Sequence, residues 1–234
     1  MEKKEKIYEG KAKIVYNTDN PDLVIQYFKD DATAFNAAKK GVVANKGVVN
    51  NKISTKIFEF LISKGIPTHF EKQLSDREML IKKVEIVPVE VIVRNKAAGS
   101  LSRTLGIAEG TPLASPVLEF CYKRDDLNDP LINEYHIQAL QLASAQEITT
   151  IKEYTLRINE LMTNFFANLN LELIDFKLEF GRYQNKIILA DEISPDTCRL
   201  WEIGTGKKLD KDRFRHDLGN IEEAYQEVLS RVDK

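Results

Sequence analysis

Leu171-Glu172-Leu173-Ile174-Asp175-Phe176-Lys177-Leu178-Glu179-Phe180 carries charge where a buried strand should carry none. Alternate residues of a strand share a face. Ile174, Phe176, Leu178 and Phe180 therefore make a plain core face, while Asp175, Lys177 and Glu179 stand in a row on the other. After the turn Gly181-Arg182-Tyr183-Gln184-Asn185, a second strand is expected over 186–193. It brings either Asp191 or Glu192 beside the charged row, according to a register that the sequence leaves open. The plain alternative is a solvated outer face with ion pairs worth about 0–1 kcal/mol each. Against it, both strands are apolar enough to be central, and charges there are costly unless they bind a cation or each other. Two carboxylates with a lysine between them can hold Mg2+ through oxygen ligands and meet a nucleotide's phosphates.

Working outward, residues 7–16 read as two short strands around a turn at Gly10, and 23–28 as a third. Val49, Ile53, Ile57, Phe60 and Leu61 recur at helical spacing, so a helix is expected over 47–64, ending at Gly65. Residues 78–95 are strand-like, with Pro88 marking a connection or an edge. Ser144 and Glu147 form a capping box ahead of a helical face made by Ile148, Ile151, Tyr154, Ile158, Leu161, Met162 and Phe165. A last helix over 212–232 buries Phe214, Leu218, Ile221, Tyr225, Val228 and Val232, with a break at Gly219. The fold class is α/β (α+β), in two lobes: a strand-rich one over 1–95 and an α/β one over 96–234, with a cleft between.

Two further segments suit phosphate. Tyr8-Glu9-Gly10-Lys11-Ala12-Lys13 puts a glycine turn between two lysines, letting backbone N–H groups approach an anion. Val91-Ile92-Val93-Arg94-Asn95-Lys96-Ala97-Ala98-Gly99-Ser100-Leu101-Ser102-Arg103 runs from a strand through a small-residue loop into a short helix opening near Ser100. In the plainer reading Arg94 and Arg103 are surface charges and Ser100 an N-cap. Gly204-Thr205-Gly206-Lys207 lacks the spacing of a P-loop. His69, His136 and His216, with Cys121 and Cys198, show no zinc-ligand spacing.

The 234 residues are 43% hydrophobic and 30% charged, with a formal net charge of −2. That balance offers no basic field for nucleic acid or an anionic membrane, so anions must be met by local clusters. No run approaches the roughly 18 apolar residues of a membrane span, and the charged start Met1-Glu2-Lys3-Lys4-Glu5-Lys6 has no signal-peptide stretch. Two distant cysteines without a CxxC pair suit a reducing, cytoplasmic setting.

Joined in order, several segments resemble the SAICAR synthetases, the bacterial-type phosphoribosylaminoimidazole-succinocarboxamide synthases, along nearly the whole chain. They are the 8–13 turn, Lys46-Gly47-Val48-Val49-Asn50-Asn51, the 88–95 strand continuing through Ala98-Gly99-Ser100, and Asp175 to Gly181. Ala190-Asp191-Glu192-Ile193-Ser194-Pro195-Asp196-Thr197-Cys198-Arg199-Leu200-Trp201 and Asp210-Lys211-Asp212-Arg213-Phe214-Arg215 complete the set. The resemblance implies a fold related to ATP-grasp and lipid-kinase-like architectures. It implies an ATP- and Mg2+-dependent ligase of purine biosynthesis, acting on carboxyaminoimidazole ribonucleotide and L-aspartate, with homodimers common among relatives. Lys11, Ala12 and Lys13 are expected at the ATP phosphates, Lys82 and Ile86 beside the adenine, and Glu179 and Asp191 on Mg2+. Arg94, Ser100 and Arg199 are expected at the ribonucleotide phosphate, and Arg215 at aspartate. Asp175, Lys177 and Asp196 would face the reacting groups, with Glu90 supporting the imidazole or its metal, and Asp175 or Asp196 is the candidate base for the aspartate amine. Two stretches depart from the family pattern: Asn36 stands where many members carry Asp, and 202–208 differs. A small-molecule or inositol-phosphate-type kinase of related fold is the alternative, and a catalytically inactive nucleotide-binding module a further one.

Overall fold

The computed structural model describes residues 1–34 and 39–233, so Asn36 lies outside the described residues. In chain order the elements are β1 (Lys3–Glu9), β2 (Lys13–Thr18), β3 (Leu23–Phe28), β4 (Asp31–Ala34), β5 (Lys39–Val42), α1 (Lys46–Ser63), β6 (Phe70–Gln73), β7 (Glu78–Lys82) and β8 (Glu85–Lys96). They continue as α2 (Gly99–Leu105), β9 (Pro112–Tyr122), β10 (Leu131–Ile132), α3 (Glu134–Ala139), α4 (Ala145–Ala167), β11 (Leu171–Tyr183), β12 (Lys186–Ala190), β13 (Cys198–Glu202), α5 (Asp212–Arg215) and α6 (Ile221–Val232).

Among the described residues, one sheet has the order β1-β2-β3-β7-β6 and a second β10-β9-β8-β11-β12, with β13 also paired to β11. Every named strand pair is antiparallel, which makes the fold α+β. The segment 67–69 fastens the two sheets together. His69 N–H donates to Leu189 O at 2.8 Å, and Leu189 N–H donates to Pro67 O at 2.9 Å.

Helical periodicity becomes burial, though Phe60, Tyr154, Leu161 and Phe165 are only half-buried and the neighbouring Phe58 and Phe166 enter the core. Ile53, Ile57, Phe58 and Leu61 of α1, and Ile148, Ile151, Ile158, Met162 and Phe166 of α4, join Phe176, Leu178 and Phe180 of β11 in one core. Each such side chain contributes about 1.5–3 kcal/mol on leaving water. The Ser144–Glu147 capping box is formed, with the Glu147 side chain accepting from Ser144 N–H at 2.7 Å.

Four expectations change. Pro88 lies inside β8, a strand with partners on both sides. It sits where the β8–β11 register shifts, just before β9 pairing begins at Val89, so its missing N–H costs no ladder bond. Residues 85–95 pair with β11 and not with the first sheet. β12 stops at Ala190, leaving Asp191 outside the strand with φ 64°. The last helix is split at Gly219 (φ 68°) as read, but Leu218 is exposed because the break turns it away from the core.

Candidate active site

β11 places charged side chains from 175 to 179 on one face, and its neighbours decide what each one meets. Asp175 pairs with Arg94, Lys177 with Ile92, and Glu179 with both Glu90 and Ala190. Asp175 and Glu179 are each only 4% exposed, so this is no solvated face.

At the Glu179 end lies a cluster of carboxylates filled with lysines. Lys177 Nζ donates to Glu179 Oε1 at 2.5 Å and to Glu90 Oε1 at 3.0 Å, with Asp191 Oδ2 at 3.6 Å. Lys123 donates to the same Glu179 oxygen at 2.9 Å. Lys13, arriving from the first sheet, pairs with Asp191 and lies 3.1 Å from Glu192. Burial alone would raise the Asp191 carboxyl, but Lys13, Lys177 and Lys123 outweigh it and hold it below the ordinary carboxylate range. Burial likewise opposes the Lys13 charge, yet Asp191, Glu192 and Glu179 push the ammonium up. Glu90 goes the other way, raised by burial against the pull of Lys177. The left-handed backbone at Asp191 costs a non-glycine residue about 1 kcal/mol or more. It turns the carboxylate off the strand end and into the cluster.

At the Asp175 end lies a cluster of arginines. Arg94, 3% exposed, donates from Nε to Glu119 at 2.8 Å, from Nη1 to Asp175 at 3.0 Å, and from Nη2 to Ser100 Oγ at 2.7 Å. Arg199 donates to Asp175 at 2.7 Å and to Asp212 at 2.8 Å, and Asp212 also accepts from Arg215 at 2.7 Å. Asp175 thus holds two guanidinium groups with one oxygen. The close approach depends on Gly99 (φ 57°), where a Cβ would stand 2.6 Å from Arg199 Nη2. Ser100 is not the N-cap, a position taken by Ala98.

Most of the residues named from sequence therefore gather around β11. The exceptions lie at the margin. Lys11 is paired with exposed Asp125 at 2.6 Å, and Ala12 supplies a carbonyl to Lys29 N–H at 2.8 Å. Lys82 bonds Glu71 at 2.7 Å and Thr68 O at 3.1 Å, while Ile86 is 37% exposed near the Gly181 bulge. Asp196 is enclosed by Lys46 Nζ at 2.6 Å and Tyr225 OH at 2.7 Å. Burial raises its carboxyl, but Lys211 and Lys46 hold it well below the usual range. A carboxylate so held is a poor proton acceptor, which weakens the case for Asp196 as the base. His69 is buried, with both ring nitrogens unpaired among the described residues, and burial lowers it to about 3, so it is neutral at pH 7.

Sequence reasoning missed Glu119, Lys123, Lys46, Asp212 and Tyr225 as partners in these clusters. One signal was available. Lys46 opens α1, where a cation opposes the helix dipole, and such a placement needs a nearby anion. Lys123 sits in an ordinary charged turn and gave none.

No helix among the described residues is long and apolar enough to cross a membrane. No group of three or more His, Cys, Asp or Glu side chains among them is arranged to hold a metal. Glu179, Asp191 and Glu90 nevertheless offer hard oxygen donors; burial and repulsion from Asp191 oppose the Glu179 charge, but Lys177, Lys123 and Lys13 hold its carboxyl below the ordinary value. Such a set fits a small dication such as Mg2+ once the lysines yield.

The site sets lysines among carboxylates at one end of a central strand and arginines around Asp175 at the other. The model of the SAICAR synthetase family matches residues 6–232, and the chain belongs to that family. Phosphoribosylaminoimidazole-succinocarboxamide synthase of Caldanaerobacter subterraneus is 61% identical over 234 residues, covering 100% of both chains. That of Clostridium kluyveri is 58% identical over 232 residues, covering 99% of each. Among solved structures, the enzyme from Ehrlichia chaffeensis superposes with a TM-score of 0.96 at 52% identity, over 98% of each chain. A SAICAR synthetase (Type-2) in complex with ADP superposes at 0.94 with 45% identity, over 97% of each.

Proposed function

We propose that this chain condenses carboxyaminoimidazole ribonucleotide with L-aspartate at the expense of ATP, giving the succinocarboxamide ribonucleotide, ADP and phosphate in purine biosynthesis. One observation carries the reading: Asp175, Lys177 and Glu179 of a single strand join the arginine cluster to the carboxylate–lysine cluster. A kinase needs a place for an acceptor hydroxyl. Here Arg94, Ser100 and Arg199 gather around Asp175 at the other end of the same strand, and they suit a phosphate and a carboxylate.

A carboxylate acylates an amine poorly, because oxide would have to leave. Transfer of the ATP γ-phosphoryl to a carboxylate oxygen gives an acyl phosphate and ADP. The aspartate amine then attacks the acyl carbon, the C–O bond to phosphate breaks, and the nitrogen loses a proton. Lys11, Ala12 and Lys13 lie on the hairpin that would meet the nucleotide phosphates, and the ADP complex of a relative supports a nucleotide here. Lys82 and Ile86 would flank the adenine. Lys177, held by Glu179 and Glu90 in the carboxylate cluster, would neutralise the transferring phosphoryl group and the carboxylate it joins. Arg94, Ser100 and Arg199 would grip the ribonucleotide phosphate, with Asp175 fixing both arginines. Glu90 would sit under the imidazole, and Arg215 would take an aspartate carboxylate. Mg2+ would be held by Glu179 and Asp191, where it supplies charge neutralisation for the phosphates.

The division between nucleotide and substrate lobes is best placed before β8, given the sheet it joins. A kinship with ATP-grasp and lipid-kinase-like architectures, a homodimeric assembly and a cytoplasmic setting complete the proposal. Omitting ATP, Mg2+, the ribonucleotide and aspartate in turn tests it. Product, ADP and phosphate should form in equal amounts with the full set, while ADP release indifferent to both acceptors contradicts it.

A further inference from the structure

Lys13 reaches the carboxylate cluster from the first sheet and meets two carboxylates there, Asp191 and, at 3.1 Å, Glu192. The two are held differently. Asp191 lies past the end of β12 and is shared with Lys177, whose Nζ stands 3.6 Å from its other oxygen. Glu192 is buried, and its second oxygen is already committed: Oε2 accepts from Ser194 Oγ at 2.7 Å. The Ser194 hydroxyl is buried in turn and accepts from Asp196 N–H at 3.1 Å. The backbone on which these side chains stand is fastened as well. Ser54 Oγ of α1 donates to Ile193 O at 3.0 Å, and the Thr197 and Cys198 N–H groups both donate to Ser194 O at 2.9 Å.

Glu192 is therefore a carboxylate fixed at one oxygen and offering the other to Lys13. Asp191, in contrast, is one of the residues that would hold Mg2+, and oxygens given to a metal are withdrawn from the ammonium beside them. Glu192 is the partner that remains. A lysine on its flexible stem loses rotamer freedom when it grips a phosphate, so holding it in place beforehand favours binding. An ammonium carries three N–H donors, which lets Lys13 keep Glu192 and still turn a donor to a phosphate oxygen.

We propose that Glu192 is a positioning residue for the nucleotide: it holds the Lys13 ammonium in place for the phosphates while Asp191 serves the metal. The assignment rests on the reading of Lys13 as a phosphate ligand given above, and it makes Glu192 act through Lys13.

The test is Glu192→Gln, which keeps the shape and removes the charge. The calorimetric dissociation constant of ADP with Mg2+ should rise roughly 5- to 30-fold, and the KM for ATP should rise with it. The dissociation constant of the ribonucleotide and the KM for aspartate should stay within about twofold. A double-mutant cycle separates positioning from scaffolding. With Lys13→Met already in place, Glu192→Gln should weaken ADP binding no further, because its effect passes through the missing ammonium. Glu192→Asp, which keeps the charge but withdraws it from Lys13 by one methylene, enters the same cycle if Glu192→Gln does not fold. ADP binding unmoved by the single substitution, an equal loss with and without Lys13, or failure of both variants to fold overturns the proposal. Wild-type protein that does not bind ADP overturns it together with the nucleotide reading. Wild type that binds ADP and shows the cycle but makes no succinocarboxamide product overturns the ligase reading and leaves this assignment standing.

Discussion

Replacing Asp191 with Asn removes one negative charge from the carboxylate cluster and little else. Asn nearly keeps the volume and tolerates the left-handed backbone that Asp191 adopts at φ 64°, so the perturbation is electrostatic. Removing one partner of a buried pair costs about 3–5 kcal/mol. Two features discount that figure. Lys13 keeps Glu192 at 3.1 Å, and Lys177 keeps Glu179 at 2.5 Å and Glu90 at 3.0 Å. Repulsion between Asp191 and Glu179 is also relieved. A loss of roughly 2–3 kcal/mol remains, or about 4–12 °C in melting temperature for a chain of this size. The pH dependence has a defined sign. A carboxyl held below its ordinary value, 3.8 for Asp191, contributes stability above that pH and loses it as pH falls further. Lys13 is raised above 10.5, so its share persists below that pH and is lost only as pH rises past it. The gap between wild type and variant should therefore be flat between about pH 5 and 9 and should narrow below about pH 4. Turnover with saturating Mg2+ should fall roughly 100- to 1,000-fold in kcat, while the KM for aspartate barely moves. Near-normal kcat together with an unshifted melt would refute the reasoning and leave the charged face as scaffolding.

Arg199→Ala should chiefly raise the KM for the ribonucleotide and blunt discrimination against substrate lacking the 5′-phosphate; discrimination as sharp as wild type would remove Arg199 from the phosphate site. Gly99→Ala should act on the same site from the other side, because its Cβ would stand 2.6 Å from Arg199 Nη2 at a φ of 57°. Displacing Arg199 there and straining the backbone should lower stability by about 1–2 kcal/mol and weaken ribonucleotide binding with ATP binding spared. A variant with unchanged melting and ribonucleotide KM would show that the contact yields freely.

The charged row on β11 was legible because period-two alternation is a property of the backbone itself. The break at Gly219, the capping box at Ser144 and the end of α1 before Gly65 were legible for similar local reasons. Pro88 misled because its missing N–H is harmless only at a register shift, and register is set by partners far along the chain. Asp191 misled because it continues an apolar run; only the structure shows that the strand ends at Ala190 and the backbone turns left-handed there. Glu119, Lys123 and Tyr225 acquire their partners across sheets and helices, with separations of 25, 56 and 29 residues to Arg94, Glu179 and Asp196. No spacing rule reaches that far.

The central claim is that the imidazole carboxylate, and no hydroxyl or water, accepts the phosphoryl group. Ribonucleotide carrying oxygen-18 in that carboxylate tests it most directly, read by mass spectrometry of the released phosphate. Activation through an acyl phosphate requires one carboxylate oxygen to leave with phosphorus, so a single labelled oxygen should appear in phosphate for each succinocarboxamide formed. Unlabelled phosphate at full product yield would contradict the account.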